Sequence, residues 1–282
     1  MEYIKKIVRK IYYKNPISYV LFQNFKDRKR LGAFFKIVFA LPAIPVWNYL
    51  AKLEIRDIEK NDFIYRIRNN KVVFYLPDLN WGGGDYIQNR IFLARDYFEI
   101  RNLDRAKKYM KTDGIFLDIG ANIGNHTLFF CNECRAKKVY AFEPVKKTYK
   151  ILKRNIVLNQ LQDKVITYNS ALGQCFSKGG IIYAEDSGGN RVKEEAGGEV
   201  KIEPLDSFKI ARIDFIKIDV EGYEERVLEG ARETLRSNRP VIMIEIFDDN
   251  YSRVDGLLSS LGYECELKIT DSRDYIYVSK KC

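Results

Sequence analysis

The segment from residue 115 to residue 124 constrains the fold of this chain more than any other stretch. It begins with a mostly apolar run, Ile-Phe-Leu-Asp-Ile, which is too short to be a helix. A turn containing Gly120 and Gly124 follows, and the next residues can start a helix. This pattern is typical of a buried parallel strand that feeds a helix. It predicts a turn where a nucleotide-like ligand could lie against N–H groups at the helix start. The alternative is a tight strand-to-helix turn without a ligand, because the glycine spacing differs from the dinucleotide pattern Gly-x-Gly-x-x-Gly.

Apolar strands and helical segments alternate from residue 115 onward. This alternation predicts an open α/β fold in which a mostly parallel sheet carries helices on both faces. The further strands are predicted at residues 138–142, 164–168, 215–218 and 240–246. The helices are predicted at residues 145–159, 223–236 and 251–261. Two closing β-prone runs, 263–269 and 274–279, have no convincing helix between them, so we expect an antiparallel hairpin at the sheet edge.

Polar side chains follow five separate apolar strands, at the edge where open parallel sheets bind ligands. They are Asp118, Glu143, Asn169 with Ser170, Asp219 with Glu221, and Glu245. Glu143 ends the second strand, and a carboxylate there can accept both hydroxyls of a ribose. The alternative for Glu143 is an acid that starts a helix beside Pro144.

Five motifs in this part of the chain resemble one known family when taken together. They are Phe116–Thr127 (FLDIGANIGNHT), Ala141–Pro144 (AFEP), Ala171–Gly173 (ALG), Leu205–Asp206 (LD) and Ile216–Glu224 (IKIDVEGYE). In this order they resemble the FkbM family of S-adenosylmethionine-dependent methyltransferases, over roughly residues 85–280. The resemblance implies a class I methyltransferase (Rossmann-like) fold, with a seven-stranded sheet whose last strand is antiparallel. Residues 1–84 lie outside the resemblance.

The resemblance also implies S-adenosylmethionine as the cofactor. It implies that Asp118–Gly124 cradles the methionine moiety and that Glu143 holds the ribose. The residues expected to bind the cofactor are Asp118, Gly120, Ala121, Asn122, Gly124, Asn125, His126, Glu143, Ser170, Ala171 and Asp219. His126 is the only histidine of the chain, and we interpret it as packed against the cofactor loop rather than as a catalytic base.

Methyl transfer to a hydroxyl needs a group that accepts the hydroxyl proton, whereas a sulfonium methyl needs alignment rather than activation. We expect Asp219 or Glu221 to be this base, with Glu245 in reserve. The alternative for Glu221 is an acid stabilised by a helix N-terminus. No metal is expected, because the sequence has no histidine-rich ligand set; the alternative is a divalent ion held by the same three carboxylates.

A glycine-rich excursion at residues 174–204 interrupts the alternation of strands and helices. We expect it to overhang the acceptor pocket, where Asn190 and Arg191 could hydrogen-bond a hydroxylated or anionic substrate. The alternative is an exposed hairpin whose glycines form turns.

The positive charge of the chain is concentrated near its beginning. Residues 1–30 carry nine basic and two acidic side chains, which accounts for seven of the ten net positive charges. An apolar segment at 31–50 adjoins this arm, but Lys36, Pro42 and Pro45 interrupt it. The combination favours contact with a membrane surface through residues 1–50, and the alternatives are a helix packed on a protein surface and a transmembrane span.

We therefore predict three parts: a basic and apolar arm at 1–60, a hairpin with a helical lid at 61–112, and a methyltransferase domain at 113–282. The hairpin is expected because β-prone runs at 62–68 and 71–76 flank two asparagines. An odd number of cysteines and no evident signal peptide favour the cytoplasm, at the inner face of the membrane.

The function expected from the sequence is O-methylation of a sugar hydroxyl in a surface glycan or glycolipid precursor. The alternatives are methylation of a protein, a lipid or another small molecule, and a membrane-associated scaffold that retains the fold without catalysis. No nucleic-acid partner is expected, since the Asn/Asp-Pro-Pro-Tyr/Phe motif of base N-methylation is absent.

Overall fold

The computed structural model describes residues 44–80, 83–184, 187–269 and 272–280. The chain divides into two compact units, with the border between Phe98 and Glu99. This border lies inside the segment 61–112 that the sequence predicts as hairpin and lid. The basic part of the predicted arm lies outside the described residues.

The first unit contains a long helix, a hairpin and a second helix. Its elements are α1 (Ile44–Lys60), β1 (Ile64–Ile67), β2 (Val72–Tyr75), β3 (Leu79–Asn80), β4 (Gly83–Gly84) and α2 (Tyr86–Ala94). β1 and β2 pair antiparallel with Ile64 opposite Tyr75, which confirms the predicted hairpin. Asn69 and Asn70 both have positive φ, a conformation that asparagine tolerates well. The side-chain oxygen of Asp85 caps α2 by accepting from the N–H of Gln88 at 3.0 Å.

Only the end of the apolar segment 31–50 lies within the described residues. α1 begins at Ile44, so Pro45 lies in its first turn. The N–H groups of a first helical turn have no partner within the helix, and a proline there removes nothing. None of the helices in the described part of the chain is both long and apolar enough to cross a bilayer.

The second unit contains eleven strands among its described residues. They are β5 (Ile115–Ile119), β6 (Lys138–Phe142), β7 (Val165–Tyr168), β8 (Ala171–Leu172), β9 (Ser177–Ile182), β10 (Arg191–Glu194), β11 (Val200–Glu203), β12 (Phe215–Ile218), β13 (Val241–Glu245), β14 (Tyr263–Lys268) and β15 (Asp274–Ser279). The helices of this unit are α3 (Ile100–Lys107), α4 (Asn125–Asn132), α5 (Lys146–Leu158), α6 (Glu224–Glu229), α7 (Arg232–Asn238) and α8 (Tyr251–Ser260).

Seven of these strands form the main sheet, in the order β14-β15-β13-β12-β5-β6-β7. β5, β6, β7, β12 and β13 are parallel, and β15 runs antiparallel to both of its neighbours. The predicted seven-stranded sheet and the closing hairpin are thus confirmed. The chain winds outward from β5 in one direction and from β12 in the other. The crevice between these two strands is therefore the switch point where such sheets bind ligands.

The helix predicted at 223–236 is broken into two, α6 and α7, at Gly230. A Cβ on Gly230 would lie 1.9 Å from the carbonyl oxygen of Gly173. The backbone that leads into the glycine-rich excursion thus occupies the space that a side chain at position 230 would need. Only glycine permits this approach, and the helix is interrupted where it occurs.

The excursion at 174–204 is a second sheet rather than an irregular loop. Its three strands join β8, which precedes the excursion, in a four-stranded sheet of order β10-β9-β11-β8. β10 and β11 pair antiparallel with the two edges of β9, and β11 pairs parallel with β8. A 3₁₀ turn at Ser187–Gly189 leads into β10.

Candidate active site

Asp118 lies at the switch point and is completely buried. Its Oδ2 accepts a hydrogen bond from the hydroxyl of Thr127 at 2.6 Å, which ties β5 to the first turn of α4. Its Oδ1 lies 3.5 Å from the ammonium nitrogen of Lys217 on the neighbouring strand. The carboxylate is therefore held rigidly beneath the glycine turn.

The turn at Gly120 is shaped by the end of β12. Gly120 has φ +77°, and a Cβ there would lie 1.8 Å from the carbonyl oxygen of Asp219. The N–H groups of Gly120 and Ala121 both donate to the carbonyl of Phe142, and Gly124 N–H donates to the carbonyl of Ala121. These three N–H groups of the turn are therefore paired within the protein, and contact of a ligand with the N–H groups at the start of α4 stays a prediction.

Asn122 connects the same turn to the excursion. Its backbone N–H donates to Oε2 of Glu143 at 2.9 Å, and its own Oδ1 accepts from the N–H of Ile123. Its side-chain amide donates to the carbonyl of Ser187 at 3.1 Å. The 3₁₀ turn of the excursion therefore lies directly against the predicted cofactor turn.

Glu143 ends β6 and is 5% exposed. Its Oε1 accepts from the N–H of Val145 at 2.8 Å, so both carboxylate oxygens are oriented by backbone donors. Burial raises the pKa of Glu143 to about 7, and the two backbone hydrogen bonds oppose the rise. Each oxygen keeps a second lone pair, which could accept a ribose hydroxyl.

Ser170 is buried beside the end of β7, and its hydroxyl has no hydrogen-bond partner among the described residues. Ala171, the next residue, starts β8 and is also buried. A buried hydroxyl without a partner costs free energy unless a ligand or a water satisfies it. The unpartnered hydroxyl of Ser170 therefore fits the binding of a polar cofactor at these strand ends.

His126 lies in the first turn of α4 and is nearly buried, like its neighbour Asn125. Burial, and then the charge of Lys217, lower the pKa of His126 to about 3. The imidazole is therefore neutral at physiological pH. Its ring centroid lies 6.3 Å from that of Phe130, so the side chain packs within the protein.

Lys217 is the central charged residue that the sequence analysis did not assign. It lies within the four-residue strand β12 and is 3% exposed. Its ammonium donates to the carbonyl of Gly120 at 2.8 Å and lies 3.2 Å from Oδ2 of Asp219. Burial lowers the pKa of Lys217, but the charges of Asp219 and Asp118 outweigh it and raise the pKa above its ordinary value. A lysine inside a four-residue apolar strand is the signal that could have identified it.

Asp219, Glu221 and Glu245 come together at the ends of β12 and β13, as predicted from their strand positions. Each offers an oxygen within 4.8 Å of the others, a spacing that could hold a metal ion and that also occurs without one. Burial, and then the charge of Asp219, raise the pKa of Glu245 well above its ordinary value. Glu245 is therefore protonated at neutral pH and can donate to Asp219. Asp274 lies opposite Glu245 in the sheet and adds a fourth carboxyl group.

A cavity of about 300 Å³ opens beside this carboxylate cluster. Its walls are β10, the end of β9 and the loops that follow β12 and β13. The lining residues are Ile182, Arg191, Val192, Lys193, Glu221, Gly222, Tyr223, Phe247, Asp249 and Asn250. Glu221 belongs to both the cluster and the cavity, so the cavity leads directly to a predicted base.

The two residues predicted to bind substrate occupy different positions. Arg191 lines the cavity, with its guanidinium carbon 5.5 Å from the ring centroid of Phe247. Asn190 instead accepts a hydrogen bond from the N–H of Ala184 at 3.0 Å and closes the tip between β9 and β10.

The fold and these strand ends define a Rossmann-like enzyme of the methyltransferase type. The family described as "Methyltransferase FkbM domain" matches residues 118–265, which is more than half of the chain. The chain belongs to this family, and it is an S-adenosylmethionine-dependent methyltransferase. The carboxylate at the end of β6, the turn that excludes a Cβ and the unpartnered hydroxyl of Ser170 fit the cofactor.

Two relatives of this chain are also named as methyltransferases. "Methyltransferase sdnD" of Sordaria araneosa is 25% identical over 213 residues, covering 61% of this chain and 82% of the relative. "Hexuronic acid methyltransferase AglP" of Haloferax volcanii is 29% identical over 175 residues, covering 58% of this chain and 70% of the relative. Among solved structures, the methyltransferase FkbM of Methylobacillus flagellatus KT is 15% identical with a TM-score of 0.46, covering 86% of this chain and 60% of that one.

Proposed function

We propose that this methyltransferase transfers its methyl group to a sugar hydroxyl, in a glycan or glycolipid precursor. The observation that carries the proposal is the cavity that joins Glu221 to the aromatic side chains of Tyr223 and Phe247. Its volume lies at the lower end for small-molecule sites, which suits a single sugar ring better than a folded protein. The relative named as a hexuronic acid methyltransferase supports a sugar acceptor.

The cofactor supplies an electrophilic methyl group on a sulfonium centre. The chain must align the acceptor oxygen with that methyl and accept the hydroxyl proton as the new C–O bond forms. We propose that Glu221 accepts this proton, because Asp219 is paired with Lys217 and Glu245 is already protonated. Asp219 and Glu245 then act on Glu221 through the cluster.

The experiment compares Glu221→Gln with the parent enzyme in transfer of a labelled methyl from S-adenosylmethionine to simple glycosides. Removal of a general base lowers kcat by about 100-fold or more, and calorimetry should find cofactor binding unchanged. The matched control is Glu264→Gln, an exposed glutamate on β14. Unchanged kcat in Glu221→Gln would exclude Glu221 as the base, and a labelled methyl found in protein or in the non-sugar part of a lipid, but in no sugar, would exclude the sugar acceptor.

We also propose that the arm brings the enzyme to a membrane surface when the acceptor is membrane-borne. The support is the cluster of basic side chains in residues 1–30 beside the apolar segment 31–50. Cationic side chains beside apolar ones favour binding to anionic lipid.

A further inference from the structure

The cationic and anionic side chains that line the cavity come from different elements. Arg191 and Lys193 lie on β10, whereas Glu221 and Asp249 lie on the loops after β12 and β13. Arg191 and Lys193 are two positions apart on one strand, so their side chains point to the same face. A molecule in the cavity can therefore meet both cations and carboxylates.

A second guanidinium, outside the cavity lining, lies over one of the rings that line the cavity. The guanidinium carbon of Arg273 lies 4.4 Å from the ring centroid of Phe247, the ring that Arg191 also contacts. Within the described residues, neither arginine forms an ion pair with a carboxylate. An arginine stacked on a ring keeps its N–H groups available for a planar anion.

Several positive charges close together repel one another, and a bound anion relieves the repulsion. We propose that the cavity binds an acidic sugar, whose anionic group pairs with Arg191 and the neighbouring positive charge of Lys193. The hydroxyl that accepts the methyl group then faces Glu221, which lines the same cavity. This inference rests on the proposed sugar O-methyltransferase function and names the class of its acceptor.

The geometry also specifies the product. The hydroxyl oxygen forms the new bond to the methyl carbon as the methyl–sulfur bond breaks, and its proton passes to Glu221. S-adenosylhomocysteine is the second product. The anionic group stays paired with Arg191, so a methyl ether forms rather than an ester of a carboxylate. An ether resists mild alkali, whereas a methyl ester is hydrolysed by it.

The test measures kcat/KM of the full-length enzyme for three acceptors. They are methyl β-glucuronide, glucose 1-phosphate and uncharged methyl β-glucoside. A higher kcat/KM for the glucuronide identifies a carboxylate as the anionic group, and a higher value for glucose 1-phosphate identifies a phosphate. In Arg191→Gln the ratio of anionic to neutral acceptor should fall by about 30-fold, the range expected for losing a charged hydrogen bond.

The matched control is Lys178→Gln, which removes an exposed positive charge from β9 outside the cavity lining. It should leave the ratio unchanged. If the parent enzyme methylates the neutral glucoside as well as either anion, the acidic-sugar inference is overturned while the proposed function stands. An alkali-labile product also overturns it. If none of the three acceptors is methylated although the cofactor binds, both the inference and the proposed function fail.

Discussion

Lys217 neutralises two carboxylates, Asp118 and Asp219, that belong to adjacent strands of the sheet. It also donates to the carbonyl of Gly120, so one side chain joins the floor of the cofactor turn to the end of β12. Removing one partner of a buried ion pair leaves an uncompensated charge, which costs much more than the pair contributes.

We therefore expect Lys217→Met to lower the free energy of unfolding by about 3 kcal/mol. Urea denaturation at pH 7 measures this change. The control is Lys201→Met, an exposed lysine on β11, for which we expect a change within about 0.5 kcal/mol. Adding Asp118→Asn to Lys217→Met should recover part of the loss. Equal stability of the Lys217→Met and Lys201→Met proteins would contradict this role of Lys217.

Glu143 gives the pH dependence expected at the cofactor site. Its pKa is raised to about 7 in the folded protein, so the protonated form is favoured by folding. Its contribution to stability is fully present below the unfolded pKa and is lost as pH rises through about 7. The Glu143→Gln protein has no such titration. The free energy of unfolding of Glu143→Gln minus that of the parent should therefore rise by about 2 kcal/mol when the pH is raised from 5 to 8.

Urea denaturation of both proteins at pH 5 and pH 8 checks this prediction. Glu143→Gln also loses one of the two backbone hydrogen bonds. The pH-dependent part of that loss is already contained in the raised pKa of Glu143, because the same hydrogen bonds oppose its rise. A stability difference that does not change with pH would show that Glu143 has an ordinary pKa.

Sequence reasoning located the strand-end carboxylates because they follow apolar strands, which have a recognisable pattern. It did not assign Lys217, because a lysine within an apolar strand is unusual and two of its partners, Asp118 and Gly120, belong to the neighbouring strand and its turn. It also could not foresee that Glu143 would accept from the N–H groups of both Asn122 and Val145. Such pairings depend on how two strand ends meet, and no local pattern encodes that.

Among the secondary-structure elements, the missing side chain of Gly120 lets the ends of β5 and β12 approach each other closely at the switch point. A Cβ on Gly120 would need space that the carbonyl oxygen of Asp219 occupies at 1.8 Å. The φ of +77° adds backbone strain for any residue with a side chain.

Gly120→Ala should weaken cofactor binding by about tenfold or more, because the ends of both strands must move. A loss of about 1.4 kcal/mol in the free energy of binding already lowers the affinity tenfold. Calorimetry with S-adenosylmethionine measures the affinity, and thermal unfolding measures the loss of stability. Gly256→Ala on α8 is the matched control, since its Cβ meets no atom within 4 Å. It should keep the affinity and unfold at the same or a higher temperature. Equal affinities of the two variants would contradict the shaping role of this contact.

The alternation of strands and helices predicted an open, mostly parallel sheet, and the two closing runs predicted the hairpin at its edge. It failed where two segments meet at close range. The helix at 223–236 is divided because Gly230 packs against the backbone of Gly173. The excursion was expected as an overhang or a hairpin, and its third strand, β11, pairs with residues distant in the sequence.

For the whole molecule, the uneven charge predicts where the enzyme meets a membrane. We expect the full chain to float with anionic liposomes. Replacing Lys5, Lys6, Arg9 and Lys10 by glutamine should lower this binding by roughly 4 kcal/mol, at about 1 kcal/mol for each charge near the surface. The control replaces four lysines on α5 by glutamine, which removes the same number of positive charges. Equal flotation of the two variants would reject the membrane contact.

The central claim is that a methyl group passes from S-adenosylmethionine to a sugar hydroxyl whose proton Glu221 accepts. Its most direct test is the transfer of a labelled methyl to defined glycosides, with the product analysed for resistance to mild alkali. We expect an alkali-resistant methyl ether that forms at least about 100-fold more slowly in Glu221→Gln. A label that appears in no sugar, or a rate unaffected by Glu221→Gln, would contradict this mechanism.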